Sequence, residues 1–425
     1  MARVVVYAMA YRGDVYPYVP IASVLARRGH DVVFVAPREY HAQFVDEPFA
    51  CLHSGTDFAP VSLDRHAQYL ARCGMRLRSA PLLRLLVSKF VVPNLPVLYR
   101  TIDQALVGAD ILVAHPVAAL VGGMAAERQG IPWVVGDLFP MQLRADARTS
   151  VPTGGSTART RRAVSGRARA SIIQHSIGGE AILAFRRRLG LPTKAWNVVD
   201  GWISPTLNVG LVSPTYIERR AEWPVNYRLT GFTNWVGPNS GRLDNEITAY
   251  LDRGTRPVLV TMGTSAASAH PDVFGAVGRA LDRREIPGVF LVSNADIAAR
   301  LRSELTNPAH GIWSFAPIAS VLPYCRAAVH SGAHGTNAAT LAAGLPSALI
   351  PALFDQRWRA QRQRALGLSA WVRRRSDLDP AIDAILGSAM TERAVAYGDL
   401  IHHEDGAATA ADEIEWVLAG GCRKT

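Results

Sequence analysis

Short apolar runs alternate with amphipathic stretches along most of the chain. Arg3–Ala8 is a nearly continuous apolar, β-branched run, which is typical of a strand buried on both faces of a parallel sheet. A helical pattern then covers Tyr16–Arg28, ends at Gly29, and is followed by a second apolar run over Asp31–Ala36. This succession predicts a β–α–β unit.

The same alternation returns later in both halves of the chain. The predicted elements are strand Ile111–Ala114, a helix to Gln129, strand Trp133–Gly136, strand Val258–Met262, helix Pro271–Arg284, strand Val289–Ser293, strand Ala327–His330, helix Asn337–Ala343 and strand Ser347–Ile350. Strands that alternate with helices predict an α/β protein with parallel sheets in both halves.

The length of the chain favours two domains, because 425 residues exceed what one ordinary core contains. Turn-forming residues are dense in Leu211–Gly231, which predicts a linker. We therefore expect domains over 1–215 and 216–395. A segment over 396–425, with helical spacing in Asp412–Ala419, is expected to return to the first domain.

Composition narrows the class of protein. With 49% hydrophobic and 19% charged residues, the chain is expected to fold into globular domains. No apolar run approaches the ~20 residues of a membrane span, and the first residues predict a strand and not a signal peptide. The four cysteines form no CxxC pair, which favours a cytoplasmic location and argues against structural zinc.

The net charge of +11 suggests nucleic acid, but its distribution argues against that partner. Residues 142–190 contain ten arginines against Asp146 and Glu180, which gives 10 − 2 = +8. Most of the excess therefore lies in one segment, which includes an unpatterned stretch over Arg144–Arg169. We interpret that stretch as a long solvated loop.

The segment with the clearest candidate chemistry begins where strand Ala327–His330 ends. Ligands of open α/β sheets bind beyond the carboxyl ends of strands, and a helix N-terminus there favours phosphate. Gly332 and Gly335 allow close approach of the backbone, while His330 and Thr336 add donors. The segment therefore predicts a diphosphate site.

Two other kinds of site fit this segment less well. It lacks the Gly-Lys-Ser/Thr of a P-loop. His330 and His334 have the spacing of a metal-binding pair, but no glutamate follows His330 and no third ligand is evident. We expect no metal, although a plain strand–turn–helix remains an alternative.

The wider stretch HSGAHGT…AAGLPSALIPALFDQ, over 330–356, resembles the donor-binding signature of nucleotide-sugar-dependent glycosyltransferases with the GT-B fold. It is most similar to the family 1 type of antibiotic and glycolipid pathways. Four further stretches resemble the family: VLVTMGTS from Val258, FAPIASVLPYCRAAVH from Phe315, RLTGF from Arg228, and YRGDVYPYVPIASVLARRGHDVVFVAP from Tyr11. The resemblance implies two Rossmann-like domains with parallel sheets facing across a cleft, and a C-terminal helix crossing back to the first domain.

The resemblance also implies a donor site in the second domain. Its residues would be Gly263, Thr264 and Ser265 in the first loop, Phe315 and Ile318 at the nucleobase, His330, Gly332, Gly335 and Thr336 at the diphosphate, and Asp355 and Gln356 at the sugar. For Asp355 and Gln356 the alternative is a simple turn after Pro351.

The catalytic base implied by the resemblance is Asp14, which lies past the first strand. The alternative role for Asp14 is helix capping. His115 follows strand Ile111–Ala114 and would pair with Asp14, with the residue types exchanged relative to many members. The alternative is an ordinary histidine at the end of a strand.

The first domain would bind the acceptor through Asp137, Phe139 and Met141. Alternatives are a solvated loop acid for Asp137 and a core position for the apolar side chains. The implied function is inverting, metal-independent transfer from a dTDP- or UDP-sugar to a hydroxyl of a small hydrophobic natural product. The nucleotide sugar is a co-substrate, no cofactor is expected, and a homodimer is left open.

The chain departs from the family pattern at four positions. Ile318 replaces a glutamine or histidine, Ser331 a second histidine, His334 a small residue and Arg359 an asparagine. They leave room for a specialised donor site. Ile318 and Arg359 also leave room for a non-catalytic GT-B-like helper that stabilises a partner enzyme.

Overall fold

The structure, a computed structural model, describes residues 1–57, 87–140, 179–194, 196, 198, 200–219, 221, 223–263, 272–305, 307–352 and 355–421. Met141, Thr264, Ser265 and the predicted loop Arg144–Arg169 lie outside the described residues. The described chain forms two compact units, each built on one parallel sheet.

The first unit contains a seven-stranded sheet in the order β3-β2-β1-β4-β5-β6-β7. Its strands are β1 Arg3–Tyr7, β2 Asp31–Ala36, β3 Ala50–His53, β4 Ile111–Ala114, β5 Trp133–Asp137, β6 Leu207–Gly210 and β7 Tyr227–Leu229. All neighbouring strands are parallel, with Val5 of β1 in register with Val33 on one side and Leu112 on the other. The β-branched residues of β1 and β4 are buried, as the apolar runs predicted.

Helices cover this sheet. Those of four or more residues are Arg12–Val15, Val19–Arg27, Val92–Ala105, Pro116–Gln129, Gly179–Arg188 and Gly406–Leu418. Segments of 3₁₀ helix lie at Tyr16–Tyr18, Arg38–Gln43 and Asp200–Trp202, and a π-helical segment lies at Val87–Val91. Pro116 starts its helix and Gly130, at φ +69°, ends it in the left-handed conformation.

The C-terminal helix packs against the first unit. Ala410 and Ile414 are fully buried among the side chains of helix Val19–Arg27 and the sheet. On its outer side, Arg28 Nη1 lies 2.6 Å from Glu415 Oε2 and 2.7 Å from Asp412 Oδ1. The prediction that the end of the chain returns to the first domain is confirmed.

The second unit contains a six-stranded parallel sheet in the order β10-β9-β8-β11-β12-β13. Its strands are β8 Val258–Thr261, β9 Gly288–Leu291, β10 Gly311–Trp313, β11 Ala327–His330, β12 Ser347–Leu349 and β13 Ser369–Trp371. Its α-helices are Asn245–Leu251, Val273–Asp282, Ala295–Glu304, Ile318–Val321, His334–Ala342, Gln356–Ala365, Leu378–Leu386 and Ser388–His402, with 3₁₀ turns at Pro238–Gly241, Leu322–Tyr324 and Arg375–Asp377.

The division between the units differs from the predicted ranges 1–215, 216–395 and 396–425. The first unit extends to Trp235, and its C-terminal part begins at Asp405. The predicted linker Leu211–Gly231 contains β7, a strand of the first sheet. Three strand residues among prolines and other turn formers are too few to give a periodic pattern, so composition alone suggested a linker. Among the described residues, no helix combines the length and apolarity needed to cross a membrane.

Candidate active site

Both sheets reverse their strand order at one point. In each unit the order begins third, second, first, fourth, fifth, sixth, and the first sheet adds a seventh strand, so the reversal lies between β1 and β4 and between β8 and β11. Ligands of such sheets bind in the crevice outside the carboxyl ends of the strands at this point. The residues that follow these four strands are therefore the first candidates for chemistry.

Asp14 lies in the short helix that follows β1. Its Oδ2 accepts a hydrogen bond from the backbone N–H of Tyr11 at 3.1 Å, which closes the first turn. Its side chain keeps 30% of its surface exposed. Both suggested roles are thus compatible, since one carboxylate oxygen caps the helix and the other faces a different way.

The other oxygen of Asp14 faces His115, the residue that follows β4. His115 Nε2 lies 3.5 Å from Asp14 Oδ1, and the imidazole is 7% exposed. The backbone N–H of Val117 donates to His115 Nδ1 at 3.3 Å. Because Nδ1 is an acceptor, the proton of the neutral ring lies on Nε2 and points to Asp14. The structure therefore brings the two predicted catalytic residues together.

The loop between β1 and Asp14 is conformationally strained. Ala10 has φ +94°, a region that residues with a side chain rarely adopt, and it is 1% exposed. Its carbonyl oxygen accepts a hydrogen bond from the Tyr40 hydroxyl at 2.8 Å. Strain of this kind persists only where surrounding contacts hold it, and it is frequent at functional sites. No sequence pattern marked Ala10.

Tyr18 also belongs to this region, although sequence reasoning did not select it. Its ring meets that of His115 edge-on at a centroid distance of 6.0 Å, and its hydroxyl donates to the carbonyl of Gly136. Burial raises the pKa of Tyr18 well above its usual value, so the hydroxyl stays protonated. Tyr18 therefore packs against the imidazole of His115.

Asp137 lies at the end of β5 and is 4% exposed. Its carboxylate accepts from the backbone N–H of Phe139 and from the Tyr227 hydroxyl, both at 3.1 Å. The suggestion of a solvated loop acid is therefore wrong. Phe139 is 5% exposed, so its side chain also lies inside the unit. Their roles at the acceptor stay predictions.

In the second unit, His330 ends β11 with its side chain fully buried. The backbone N–H of Gly332 donates to His330 Nδ1 at 3.1 Å, and Nε2 lies 3.5 Å from Thr340 Oγ1. Burial lowers the pKa of His330 to about 3, so the ring is neutral at pH 7. This placement argues against the expectation that the imidazole donates to a diphosphate. The ring instead holds the bend through Gly332.

The bend opens at the N-terminus of helix His334–Ala342. Gly332 has φ +83°, where only glycine is unstrained, and no side chain caps the helix. A Cβ added at Gly335 would meet nothing within 4 Å. N–H groups of a first helical turn have no partner within the helix, so this end, where Gly335 is exposed, has the properties of an anion site.

Two of the other predicted donor residues, Gly263 and Gln356, lie next to this bend. A Cβ on Gly263, after β8, would lie 3.8 Å from the Cβ of Ala333, and one on Gly332 would lie 3.5 Å from the carbonyl oxygen of Gln356. The turn after β8 and the start of helix Gln356–Ala365 therefore both border the bend. Phe315 is 38% exposed, and Ile318 begins a short helix and packs on the core of the second unit.

Asp355 lies in a turn, as the alternative had it, and is the N-cap residue of the helix that begins at Gln356. Gln356 is 3% exposed and its Oε1 accepts from the backbone N–H of Ala352 at 2.9 Å. Asp355 is paired with Arg359, whose Nε lies 3.0 Å from Asp355 Oδ2. Arg359 is fully buried, and sequence reasoning had noted it only as a departure from the family pattern.

The residues that the structure describes contain no group of three histidine, cysteine, aspartate or glutamate side chains placed to hold a metal ion.

Known proteins resemble this chain both in sequence and in structure. Residues 291–412 match the family described as the erythromycin biosynthesis protein CIII-like, C-terminal domain. The O-mycaminosyltylonolide 6-deoxyallosyltransferase of Streptomyces fradiae is 25% identical over 444 residues, covering 97% of each chain.

The structural similarity is to solved structures of glycosyltransferases. The calicheamicin glycosyltransferase has a TM-score of 0.65 at 20% identity, covering 99% of this chain and 98% of its own. A Streptomyces sp. SF2575 glycosyltransferase complexed with thymidine diphosphate has a TM-score of 0.63 at 17% identity, covering 98% and 99%. The GT-B fold is confirmed, and so is the resemblance to glycosyltransferases of the antibiotic type.

Proposed function

We propose that this chain, which is related to glycosyltransferases over nearly its whole length, is an inverting enzyme that uses a nucleotide sugar. The donor is a dTDP- or UDP-sugar, and the acceptor is a hydroxyl group of a small hydrophobic natural product. The reaction needs no metal ion. Asp14 is the general base, and the exposed start of helix His334–Ala342 binds the diphosphate.

The observation that carries the proposal is the arrangement of Asp14 and His115. The N–H of Val117 donates to Nδ1 of His115, so in the neutral ring Nε2 carries the proton, and this nitrogen lies 3.5 Å from Asp14 Oδ1. In this tautomer His115 cannot take a proton through Nε2. We therefore assign the role of base to Asp14, and His115 is the group that orients its carboxylate.

The reaction follows from these roles. The acceptor hydroxyl gives its proton to Asp14 while its oxygen attacks the anomeric carbon of the sugar. The bond from that carbon to the diphosphate oxygen breaks, and its electron pair leaves with the diphosphate. Attack from the face opposite the leaving group inverts the anomeric configuration.

The departing diphosphate gains negative charge, and the second unit offers a suitable partner. The start of helix His334–Ala342 has no side-chain cap, and Gly335 leaves open space above it. Its N–H groups and the positive end of the helix dipole stabilise the anion, and Thr336 adds a hydroxyl. This positive end supplies the role that a metal has in other phosphate chemistry.

The names of related proteins support the choice of substrates. One structural neighbour holds thymidine diphosphate, and one sequence relative is named for transfer to O-mycaminosyltylonolide. We therefore favour thymidine diphosphate over uridine diphosphate, and we place the acceptor among apolar natural products.

Titration calorimetry of the full chain with thymidine diphosphate and uridine diphosphate tests the donor site. We expect at least one to bind, with the same dissociation constant in EDTA as in Mg²⁺, because the helix N-terminus supplies the positive potential. Loss of binding in EDTA would refute metal independence. No binding of either nucleotide would refute the donor site.

A further inference from the structure

Two side chains hold opposite sides of one peptide group in the loop that leads to Asp14. This group joins Ala10 to Tyr11. Its carbonyl oxygen, on Ala10, accepts a hydrogen bond from the Tyr40 hydroxyl at 2.8 Å. Its N–H, on Tyr11, donates to Asp14 Oδ2 at 3.1 Å. Because a peptide group is planar and rigid, it connects the hydroxyl of Tyr40 to the carboxylate of Asp14.

The backbone conformation at this peptide group is unfavourable for the residue that adopts it. Ala10 has φ +94°, which residues with a side chain rarely adopt, and it is 1% exposed. Such a residue keeps its conformation only where surrounding contacts oppose a return to ordinary dihedral angles. The hydrogen bond from Tyr40 is such a contact, because a rotated peptide group would lose this donor.

The packing of Tyr40 fixes the position of its hydroxyl. Tyr40 lies in the 3₁₀ segment that follows β2 and is 3% exposed. Its ring meets that of Tyr16 edge-on at a centroid distance of 6.0 Å and stacks on that of Phe44 at 6.3 Å. Burial raises the pKa of Tyr40 far above its ordinary value, so the hydroxyl keeps the hydrogen that it donates.

The carboxylate of Glu39 is a second acceptor near the hydroxyl of Tyr40. A hydroxyl has one hydrogen to donate, so the two acceptors compete for it. Glu39 is exposed and can be solvated by water, whereas the bond to Ala10 lies inside the unit. A buried carbonyl loses more than an exposed carboxylate when its donor is removed, so Ala10 is the favoured acceptor.

We propose that Tyr40 is a positioning residue, which fixes the peptide group between Ala10 and Tyr11 and through it the carboxylate of Asp14. Asp14 uses Oδ2 for this peptide group, and its Oδ1 lies 3.5 Å from His115 Nε2. If the peptide group rotated, Oδ2 would lose its N–H donor and the carboxylate would be free to turn away from His115. This inference rests on the proposed function, in which Asp14 is the base.

The test removes the hydroxyl and the backbone strain separately. Tyr40→Phe removes the hydroxyl and keeps the ring. Ala10→Gly removes the strain, because glycine adopts positive φ without a penalty, so the loop then keeps its conformation without the hydroxyl. Hydrogen exchange of the Tyr11 amide, measured by NMR on the full chain, reports on the peptide group and needs no substrate.

We expect Tyr40→Phe to raise the exchange rate of the Tyr11 amide by about three- to tenfold, which corresponds to one hydrogen bond. Combining it with Ala10→Gly is expected to bring the rate back to about the wild-type value. Turnover is measured as release of thymidine diphosphate from its glucose conjugate with an apolar alcohol as acceptor. It is expected to fall and recover in the same order, with an unchanged dissociation constant for thymidine diphosphate.

Two control variants isolate the bond between Tyr40 and Ala10. Tyr250 also donates its hydroxyl to backbone carbonyls, those of Gly288 and Ala309, but in the second unit. Tyr250→Phe is therefore expected to lower stability and to leave the exchange of the Tyr11 amide unchanged. Glu39→Ala removes the competing acceptor and is expected to leave both exchange and turnover unchanged.

Unaltered exchange of the Tyr11 amide in Tyr40→Phe would overturn the proposal. So would a change that Ala10→Gly does not reverse, a change that Glu39→Ala reproduces, or equal losses of turnover and nucleotide affinity. Should Tyr40→Phe fail to fold, Ala10→Val keeps the hydroxyl and increases the strain, and an unchanged exchange rate in that variant refutes the proposal. Full turnover in Asp14→Asn refutes the proposed function instead, whatever the exchange rates show.

Discussion

The two units share one strand order, but the histidines at the point where that order reverses have different surroundings. His115 follows β4 and His330 ends β11, so both lie at the point where the order of their sheet reverses. In both, Nδ1 accepts from the backbone N–H two residues later, Val117 in one case and Gly332 in the other. The tautomer of the neutral ring is therefore the same.

The difference lies in what Nε2 meets. In the first unit Nε2 lies 3.5 Å from a carboxylate oxygen of Asp14, which is partly exposed. In the second unit Nε2 lies 3.5 Å from the hydroxyl of Thr340, inside the unit. The same backbone hydrogen bond therefore orients a histidine beside the candidate catalytic carboxylate in the first unit and a histidine with a structural role in the second. What separates them is the partner of the second nitrogen and not the position in the sheet.

The largest expected effect tests the first unit, where His115 lies beside the proposed base Asp14. Asp14→Asn keeps an oxygen for the N–H of Tyr11 but loses the base, so turnover is expected to fall by about 10²–10⁴-fold. The dissociation constant for thymidine diphosphate is expected to stay the same. Steady-state kinetics and calorimetry on one preparation check both.

Asp31→Asn is the matched control for Asp14→Asn. Asp31 is a half-exposed residue of β2 that pairs with Arg3, and its change is expected to leave turnover unaltered. If Asp14→Asn also turned over normally, the base would have to be another group and the comparison of the two histidines would fail.

The sequence predicted the long, buried strands and where the candidate residues follow them. Runs such as Arg3–Ala8 can be recognised as strands because strands buried on both faces need apolar residues throughout. Once β1 and β4 are neighbours, Asp14 and His115 must share one edge. Short edge strands such as β7 and β13 have three residues each and leave no pattern.

The sequence did not predict the direction in which individual side chains point. Helix Gln356–Ala365, with the sequence QRWRAQRQRA, is mostly polar, yet Gln356, Arg359 and Gln363 are buried. Nothing local shows that an arginine in such a helix turns inward to Asp355. The ring of His330 is a second case, since a histidine beside glycines suggested a ligand contact and the structure buries it.

Exchanging each histidine for leucine sharpens the comparison. His115→Leu is expected to lower turnover by about 10- to 100-fold, because the polar group 3.5 Å from the carboxylate of Asp14 is lost, and to leave nucleotide affinity unchanged. His330→Leu leaves the N–H of Gly332 buried without an acceptor. It is expected to lower the free energy of unfolding by ~1–3 kcal/mol and to weaken nucleotide binding.

Urea unfolding, calorimetry and kinetics separate the two outcomes. If both variants lost turnover with full nucleotide affinity, His330 would also serve chemistry. If both lost stability alone, His115 would be structural.

The smallest effect is the pH dependence that His330 gives to stability. Burial holds its pKa at about 3 in the folded chain, against an ordinary 6.5. Above pH 6.5 the ring is neutral in both states and contributes nothing to the pH dependence. As the pH falls from 6.5 towards 3, the unfolded chain binds a proton that the folded chain does not. The free energy of unfolding therefore falls by ~1.4 kcal/mol per pH unit.

Urea unfolding at pH 7 and pH 5 measures this dependence. Because only the part below pH 6.5 counts, His330 is expected to account for ~2 kcal/mol of the stability lost between the two values. His330→Gln removes the titrating ring, so its loss is expected to be smaller than that of the wild type by that amount. Exposed His403→Gln is the control and is expected to follow the wild type. Parallel curves for all three proteins would mean that His330 is hydrated or protonated in the folded chain. The two histidines would then no longer differ in what surrounds Nε2.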